Sequence, residues 1–132
     1  MAYWLLKSEP SSYSWDDLVR DGGTEWDGVR NNAARLHLKA MKAGDEAFFY
    51  ASMADKAIVG TMRITREAQP DPKDPDWVSV RVEPVEPIGP VTLAAIKVEP
   101  KLGKMELIRQ SRLSVAPVRK EEWEAVLEMA RA

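Results

Sequence analysis

The chain has 132 residues, with 19 basic and 21 acidic side chains, a formal charge of −2, no cysteine and one histidine, His37. That length suits one domain with a single core, and the lack of cysteine and of a histidine cluster excludes disulfides, thiolate zinc sites and His-rich metal centres. The near-even charge argues against a protein that coats long stretches of nucleic acid, because such affinity scales with the phosphates neutralised; a small local footprint stays open.

No run of about 20 apolar residues occurs, and Met1-Ala2-Tyr3-Trp4-Leu5-Leu6-Lys7 lacks the basic front and small-residue cleavage site of a signal peptide. A soluble, cytoplasmic protein is therefore expected. Tyr3 to Leu6 is a short apolar and aromatic run, closed by Pro10, that predicts a buried central strand. Ser14 can cap the next helix, with Asp17 completing a capping box and Tyr13 and Leu18 placed for a hydrophobic staple; Gly22 and Gly23 end it. Trp15, Leu18 and Val19 share one face at helical spacing, which assigns Trp15 to core packing rather than ligand contact.

The run Trp26-Asp27-Gly28-Val29-Arg30-Asn31 gathers an aromatic plane, a cation and an amide around a glycine. Those groups suit a planar, hydrogen-bonding ligand such as a nucleobase, since Trp can stack on a ring while Arg and Asn offer forked donors and an acceptor. Asn31 or Asn32 also caps a second helix reaching about Gly44, with Ala34, Leu38 and Met41 on its apolar stripe. Arg30 and Asn31 then lie at a helix N-terminus, whose free N–H groups favour a phosphate or a base carbonyl. The same spacing is met equally well by a helix cap, a surface salt bridge and a loop-anchoring Trp. From Gly28 to Ala43, Arg30, Arg35, Lys39 and Lys42 occur with no acid between them, a pattern that a solvated helix face also explains.

Glu46 to Ser52, Ile58 to Thr65 and Trp77 to Pro84 read as strands, the last two alternating apolar and polar residues as one buried sheet face requires. Gly60 interrupts the second and marks a bulge or tight curvature. The proline-rich stretch from Gln69 to Asp76 is a loop between strands, not a domain boundary. Thr92 caps a helix reaching Lys97, and another helix is expected around Lys104 to Gln110. Arg112 to Val118 reads as a last strand, and a helix from about Lys120 sets Trp123, Val126, Leu127 and Ala130 on one face. Strands dispersed among short helices without a βαβ rhythm indicate an α+β fold: a curved mixed sheet or small β-barrel flanked by helices.

Four segments closely resemble, in order and across nearly the whole chain, the motifs of EVE-domain proteins. They are Tyr3-Trp4-Leu5-Leu6-Lys7-Ser8-Glu9-Pro10, Trp26 to Asn31, Ala47-Phe48-Phe49-Tyr50 and Ser111-Arg112-Leu113-Ser114-Val115-Ala116-Pro117-Val118. The resemblance implies a single domain over residues 1–132 and a PUA-like fold with a concave pocket related to those of YTH and ASCH domains. It further implies recognition of modified bases, notably modified cytosines, in DNA or RNA. The energetics of stacking favour an extruded base, so a non-catalytic module that holds a flipped, methylated or hydroxymethylated cytosine is expected, with no cofactor, metal or membrane. By that resemblance the site comprises Lys7, Ser8, Trp26, Arg30, Asn31, Tyr50, Ser52 and Arg112. Ser8 would meet a base edge and Lys7 a phosphate, and Trp26 would stack on the base or wall it off. Arg30 with Asn31 would hold its polar edge or the adjacent backbone, Tyr50 and Ser52 would be walls, and Arg112 would face the site. Plainer roles fit too: Lys7 as a solvated lysine, Tyr50 as a core aromatic, Arg112 as a surface cation.

The chain also departs from the family's pattern. Asn32 stands where members commonly have Tyr after the VRN triplet, Ala51 where many have His after FFY, and Leu36 where an Asn often follows the Ala-Arg pair. If those positions face the ligand, one wall is smaller and less polar. Two other classes of function compete. An ASCH-like hydrolase or nuclease acting on RNA or modified nucleosides would have to use Lys7, Glu9 or Asp27 as acid or base, since there is no thiol and His37 lies in a helix between Leu36 and Leu38. A protein-interaction domain would use the aromatics for packing alone.

Overall fold

The computed structural model describes residues 1–53 and 55–131. The elements are β1 (Tyr3–Ser8), α1 (Trp15–Asp21), β2 (Thr24–Trp26), α2 (Asn32–Ala40), β3 (Glu46–Ala51), β4 (Ala57–Pro70) and β5 (Val78–Thr92), then α3 (Leu93–Val98), a 3-10 turn (Pro100–Leu102), α4 (Glu106–Arg109), β6 (Val115–Val118) and α5 (Lys120–Arg131). The strands make one six-stranded sheet in the order β2-β5-β4-β3-β1-β6, parallel only between β1 and β3. The fold is the expected α+β with a curved sheet and short helices. The barrel half of that expectation is corrected: β2 and β6 are separate edges, so the sheet stays open.

Alternation along β1 assigns the faces of the sheet, since successive side chains on a strand point opposite ways. Trp4 and Leu6 join a buried cluster with Leu18, Trp26, Leu38, Phe49 and Val80, whereas Leu5 joins a second with Phe48, Tyr50, Ile58, Ile96 and Trp123. The second face is covered by α5 together with α3, the 3-10 turn and α4, and Trp123 of α5 stacks on Phe48 at 3.9 Å and on Tyr3 at 4.6 Å between ring centroids. On the first face Phe49 meets Trp15 and Trp26 edge to face at 5.6 and 5.7 Å, the geometry that ring quadrupoles favour. Gly60 lies opposite Phe49 where the register of β4 shifts, and a Cβ there would come within 2.5 Å of the Trp15 ring. The glycine makes room for that ring as well as for the bulge.

α1 starts and stops as its sequence dictates: Ser14 Oγ accepts from the Asp17 N–H, the Asp17 carboxylate accepts from the Ser14 N–H, and Gly22 closes the helix at φ 72°. Val19 is 52% exposed rather than in the core, because the short helix lays only its Trp15 and Leu18 edge on the sheet. α2 ends at Ala40, short of Gly44, since Met41 turns to an extended conformation and Gly44, at φ 98°, serves the turn into β3. β4 and β5 run on to Pro70 and Thr92, β6 begins only at Val115, and α4 is reduced to 4 residues.

Candidate functional site

Between the end of β1, the entrance to α1 and strand β2, the first face of the sheet is left uncovered, and a cleft of about 800 Å³ opens there. Ser8 follows Trp4 and Leu6 onto that face. Its Oγ donates to the Tyr13 carbonyl at 2.5 Å, tying the strand end to the α1 entrance. The Tyr13 ring packs against the first cluster, and its hydroxyl donates to Asp21 Oδ2 at 2.8 Å. Burial and then the Asp21 carboxylate push the phenol's pKa up. Trp26 is the back wall, paired with Val80 in β5 and only 8% exposed. So little open surface closes the cleft; it does not stand in it as a free stacking plane. Lys7 sits at the rim, its Nζ donating to the Ser111 carbonyl at 2.8 Å and lying 5.8 Å from the Tyr50 ring centroid. Burial lowers its pKa.

The rim is held by Asp71, whose side chain is 0% exposed. Its carboxylate accepts from the Gly28 N–H at 2.9 Å, the Lys73 N–H at 2.7 Å and Arg30 Nη1 at 3.0 Å. Burial by itself would raise the carboxyl's pKa, but those donors outweigh it and hold it at about 2. Gly28 takes φ 76° at this bend, a conformation that costs glycine little. Lys73 reaches over to Asp27 at 3.4 Å. At one end of the cleft the Glu25 carboxylate is gripped by both Nη atoms of Arg66, at 2.6 and 2.8 Å, and by the Ser79 hydroxyl at 3.0 Å, which lowers its pKa. Arg66 is the main cause.

Lys7, Ser8 and Trp26 meet in this cleft; Arg30, Asn31, Tyr50, Ser52 and Arg112 do not line it. Arg30 is engaged by Asp71 and by its neighbour Val29's carbonyl, beside the Trp77 ring at 5.7 Å. Asn31 caps α2, its Oδ1 accepting from the Ala34 N–H at 2.9 Å, and shares with Arg112 a separate shallow groove of about 370 Å³. The turn at Gly28 separates it from Trp26, so no single cleft is bounded by Ser8, Trp26 and Asn31. Tyr50 is buried in the second cluster, as the residue after Phe49 on a strand must be. The Ser52 N–H and Oγ both donate to the Ser8 carbonyl, at 2.9 and 3.1 Å, fastening the ends of β1 and β3. Asn32 and Leu36 are exposed on α2 and Ala51 is buried in register with Ser8; none of the three lines the cleft.

Sequence reasoning missed Tyr13, Asp21, Glu25, Arg81 and above all Asp71. Tyr13 had a usable signal, because a staple residue at the α1 cap follows shortly after Ser8 in the chain. Asp71 had none: it sits inside a proline-rich loop and finds its partners across 41 and 43 positions. Among the described residues there is no group of His, Cys, Asp and Glu that could hold a metal ion, and no helix long and apolar enough to cross a membrane.

An open, curved six-stranded sheet with short helices and a cleft at the end of its first strand defines a small α+β domain of the PUA-like kind. The family model of the EVE domain matches residues 2–129, and the chain belongs to the EVE-domain family. It is 35% identical to mouse thymocyte nuclear protein 1 over 96% of this chain and 73% of that protein. The NMR structure of Rpa0253 from Rhodopseudomonas palustris is similar at a TM-score of 0.94 and 51% identity, covering 99% of this chain and 94% of that one. The crystal structure of the human THYN1 protein in complex with 5-methylcytosine-containing DNA is similar at a TM-score of 0.92 and 33% identity, covering 100% of this chain and 99% of that one.

Proposed function

We propose that this protein is a non-catalytic nucleic-acid-binding domain that takes a modified base, a methylated or hydroxymethylated cytosine flipped from its strand, into the cleft between β1, α1 and β2. The observation that carries the reading is the cleft itself, about 800 Å³ in volume, where Ser8, Tyr13 and Trp26 converge. Its support is the likeness, over the whole chain, to a human protein crystallised with 5-methylcytosine DNA. The Ser8 hydroxyl gives its proton to the Tyr13 carbonyl, which leaves its lone pairs to accept from an exocyclic amine. Tyr13 supplies the half-exposed ring and Trp26 the back wall.

Magnitudes favour modest, selective binding. Extruding a base costs a few kcal/mol and stacking on one aromatic ring returns about 1–3 kcal/mol, so hydrogen bonds and phosphate contacts supply the rest. One methyl group in an apolar pocket is worth about 1–3 kcal/mol, a preference of roughly ten- to two-hundredfold. The test is fluorescence anisotropy at fixed salt, with duplexes and single strands carrying cytosine, 5-methylcytosine or 5-hydroxymethylcytosine. Wild type is expected to prefer a modified strand, and Ser8→Ala and Tyr13→Ala to lose that preference with the fold intact. Trp26→Ala is a poorer probe, because emptying a buried indole site costs about 3–5 kcal/mol of stability and mixes folding with binding. Equal affinity of wild type for modified and unmodified strands sinks the reading. So does turnover of labelled DNA, RNA or modified nucleosides that Lys7→Ala abolishes, which would restore a hydrolase or nuclease.

A further inference from the structure

The cleft is a poor place for a phosphate. Four acids line it, Glu9, Asp21, Glu25 and Asp27, against the three cations Lys7, Lys73 and Arg81. Glu25 is neutralised by Arg66 and Asp27 by Lys73, while Arg81 lies 3.7 Å from Glu83 outside the cleft, so among the described residues no lining cation but Lys7 is left without an acid partner. A phosphodiester entering there would face carboxylates across a partly desolvated space, where like charges cost most. The shallow groove next to it has the opposite character. Its lining, Asn31, Ala33 and the segment from Gln110 to Leu113, contains no carboxylate. Arg112 is exposed and has no ion pair or hydrogen bond among the described residues. The nearest acid along the chain, Glu106, is already held by Arg109 at 3.3 Å and by the Gln110 amide. Asn31 has its side-chain oxygen taken by the α2 cap, which leaves its amide N–H groups as free donors.

Lys7 joins the two depressions. It lines the cleft, and its Nζ donates to the carbonyl of Ser111, which lines the groove. An ammonium carries three donors, so two remain for an incoming oxygen. We infer that the groove carries the sugar-phosphate backbone flanking the bound base, with Arg112 as its principal phosphate contact and Lys7 as the ridge over which the strand passes from groove to cleft. The inference rests on the cleft reading above for which base is held, and adds where the strand runs. It also divides the labour: the cleft sets which base is preferred, and the groove sets affinity without regard to sequence or modification.

Salt dependence reads that division directly. Arg112→Ala is expected to weaken binding of modified and unmodified duplexes by the same factor, several-fold at low salt, and to flatten the slope of log K against log salt by about 0.9. Arg112→Lys is expected to keep most of the slope. Both substitutions are on the surface, and equal melting temperatures confirm that each variant folds. An unchanged affinity and slope in Arg112→Ala overturns the inference, as does a loss confined to the modified duplex. If instead Ser8→Ala and Tyr13→Ala keep the full preference for the modified base while Arg112→Ala flattens the slope, the cleft reading fails and the phosphate track stands. Absence of any salt-dependent binding by wild type overturns both.

Discussion

Both faces of the sheet are built on aromatic side chains, yet the cleft of about 800 Å³ opens on one, while the other carries a depression of about 390 Å³ where β1 and β6 meet the start of α5. On the closed face, the 12-residue α5 lays Trp123 flat against Phe48 and Tyr3. On the open face, α1 has 7 residues and α2 has 9, and Trp15 and Trp26 meet Phe49 only edge to face. Apolar content does not explain the difference, because each face has a full buried cluster. Coverage does: on the closed face α5 is joined by α3, the 3-10 turn and α4, whose Ile96, Leu102 and Leu107 fill the cluster, while on the open face two short helices stop before the end of β1. What lies beyond them is lined by loops, and loops have polar backbone that must be satisfied. The cleft therefore depends on its rim, and the rim depends on Asp71.

That contrast can be broken from either side. The largest effect is expected from Trp123→Ala, which empties the stacked site on the closed face and costs about 3–5 kcal/mol in urea unfolding. The fraction that stays folded should keep the wild-type preference for modified DNA, because no buried residue of the second cluster lines the cleft. A selective loss of the preference would mean that the faces are coupled. Asp71→Asn comes next, at about 3 kcal/mol, since one amide cannot replace a carboxylate that accepts from two backbone N–H groups and an arginine. Here the readout is local as well: hydrogen exchange should accelerate at the Gly28 and Lys73 amides before it does so in β3.

Acid provides a smaller and more specific perturbation of the same rim. The Asp71 carboxyl sits at about 2 in the folded protein, below its ordinary 3.8. The unfolded chain therefore binds more protons than the folded one between those values, so the contribution is fully present above about pH 4 and is lost as pH falls toward 2. Its size is about 2 kcal/mol. Asn does not titrate, so the stability gap between wild type and Asp71→Asn should shrink by that amount between pH 6 and pH 2. A gap that stays constant across that range would show that the charge on Asp71 is not what holds the rim.

Much of this architecture was legible in the chain because its signals are local. The capping box at Ser14 and Asp17, the apolar stripe of Ala34, Leu38 and Met41, the Thr92 cap and the apolar face of α5 are each written within a few residues. The site was legible only in part, for a physical reason. Strand alternation determines which side of the sheet Ser8 and Tyr50 occupy, but that Tyr50 faces away from Ser8 follows only from the pairing of Ser8 with Ala51 and of Lys7 with Tyr50 between β1 and β3, a register that no local pattern states. Arg30 and Asn31 read as ligand contacts because their chemistry suits one. Arg30's partner, Asp71, lies 41 positions away in a loop with no pattern of its own. β2 has only 3 residues, too few for any periodicity, so Trp26 read as part of a loop and not as a strand residue facing the core.

The smallest expected effect tests how far the open face depends on ordinary helix chemistry. Ser14→Ala removes the acceptor for the Asp17 N–H and dissolves the capping box, a loss of about 1 kcal/mol. No residue lining the back of the cleft is touched. Yet Ser14 is the neighbour of Tyr13, whose carbonyl receives the Ser8 hydroxyl and whose ring lines the opening. A frayed α1 entrance would let that carbonyl drift and return the Ser8 proton to solvent. Thermal melting should show a modest loss of stability, while anisotropy should show a narrowed preference for modified over unmodified DNA, with the salt slope unchanged because Arg112 lies elsewhere. A preference that survives intact would mean that Tyr13 is positioned by its packing on the first cluster and its bond to Asp21, and that the cap serves the helix alone.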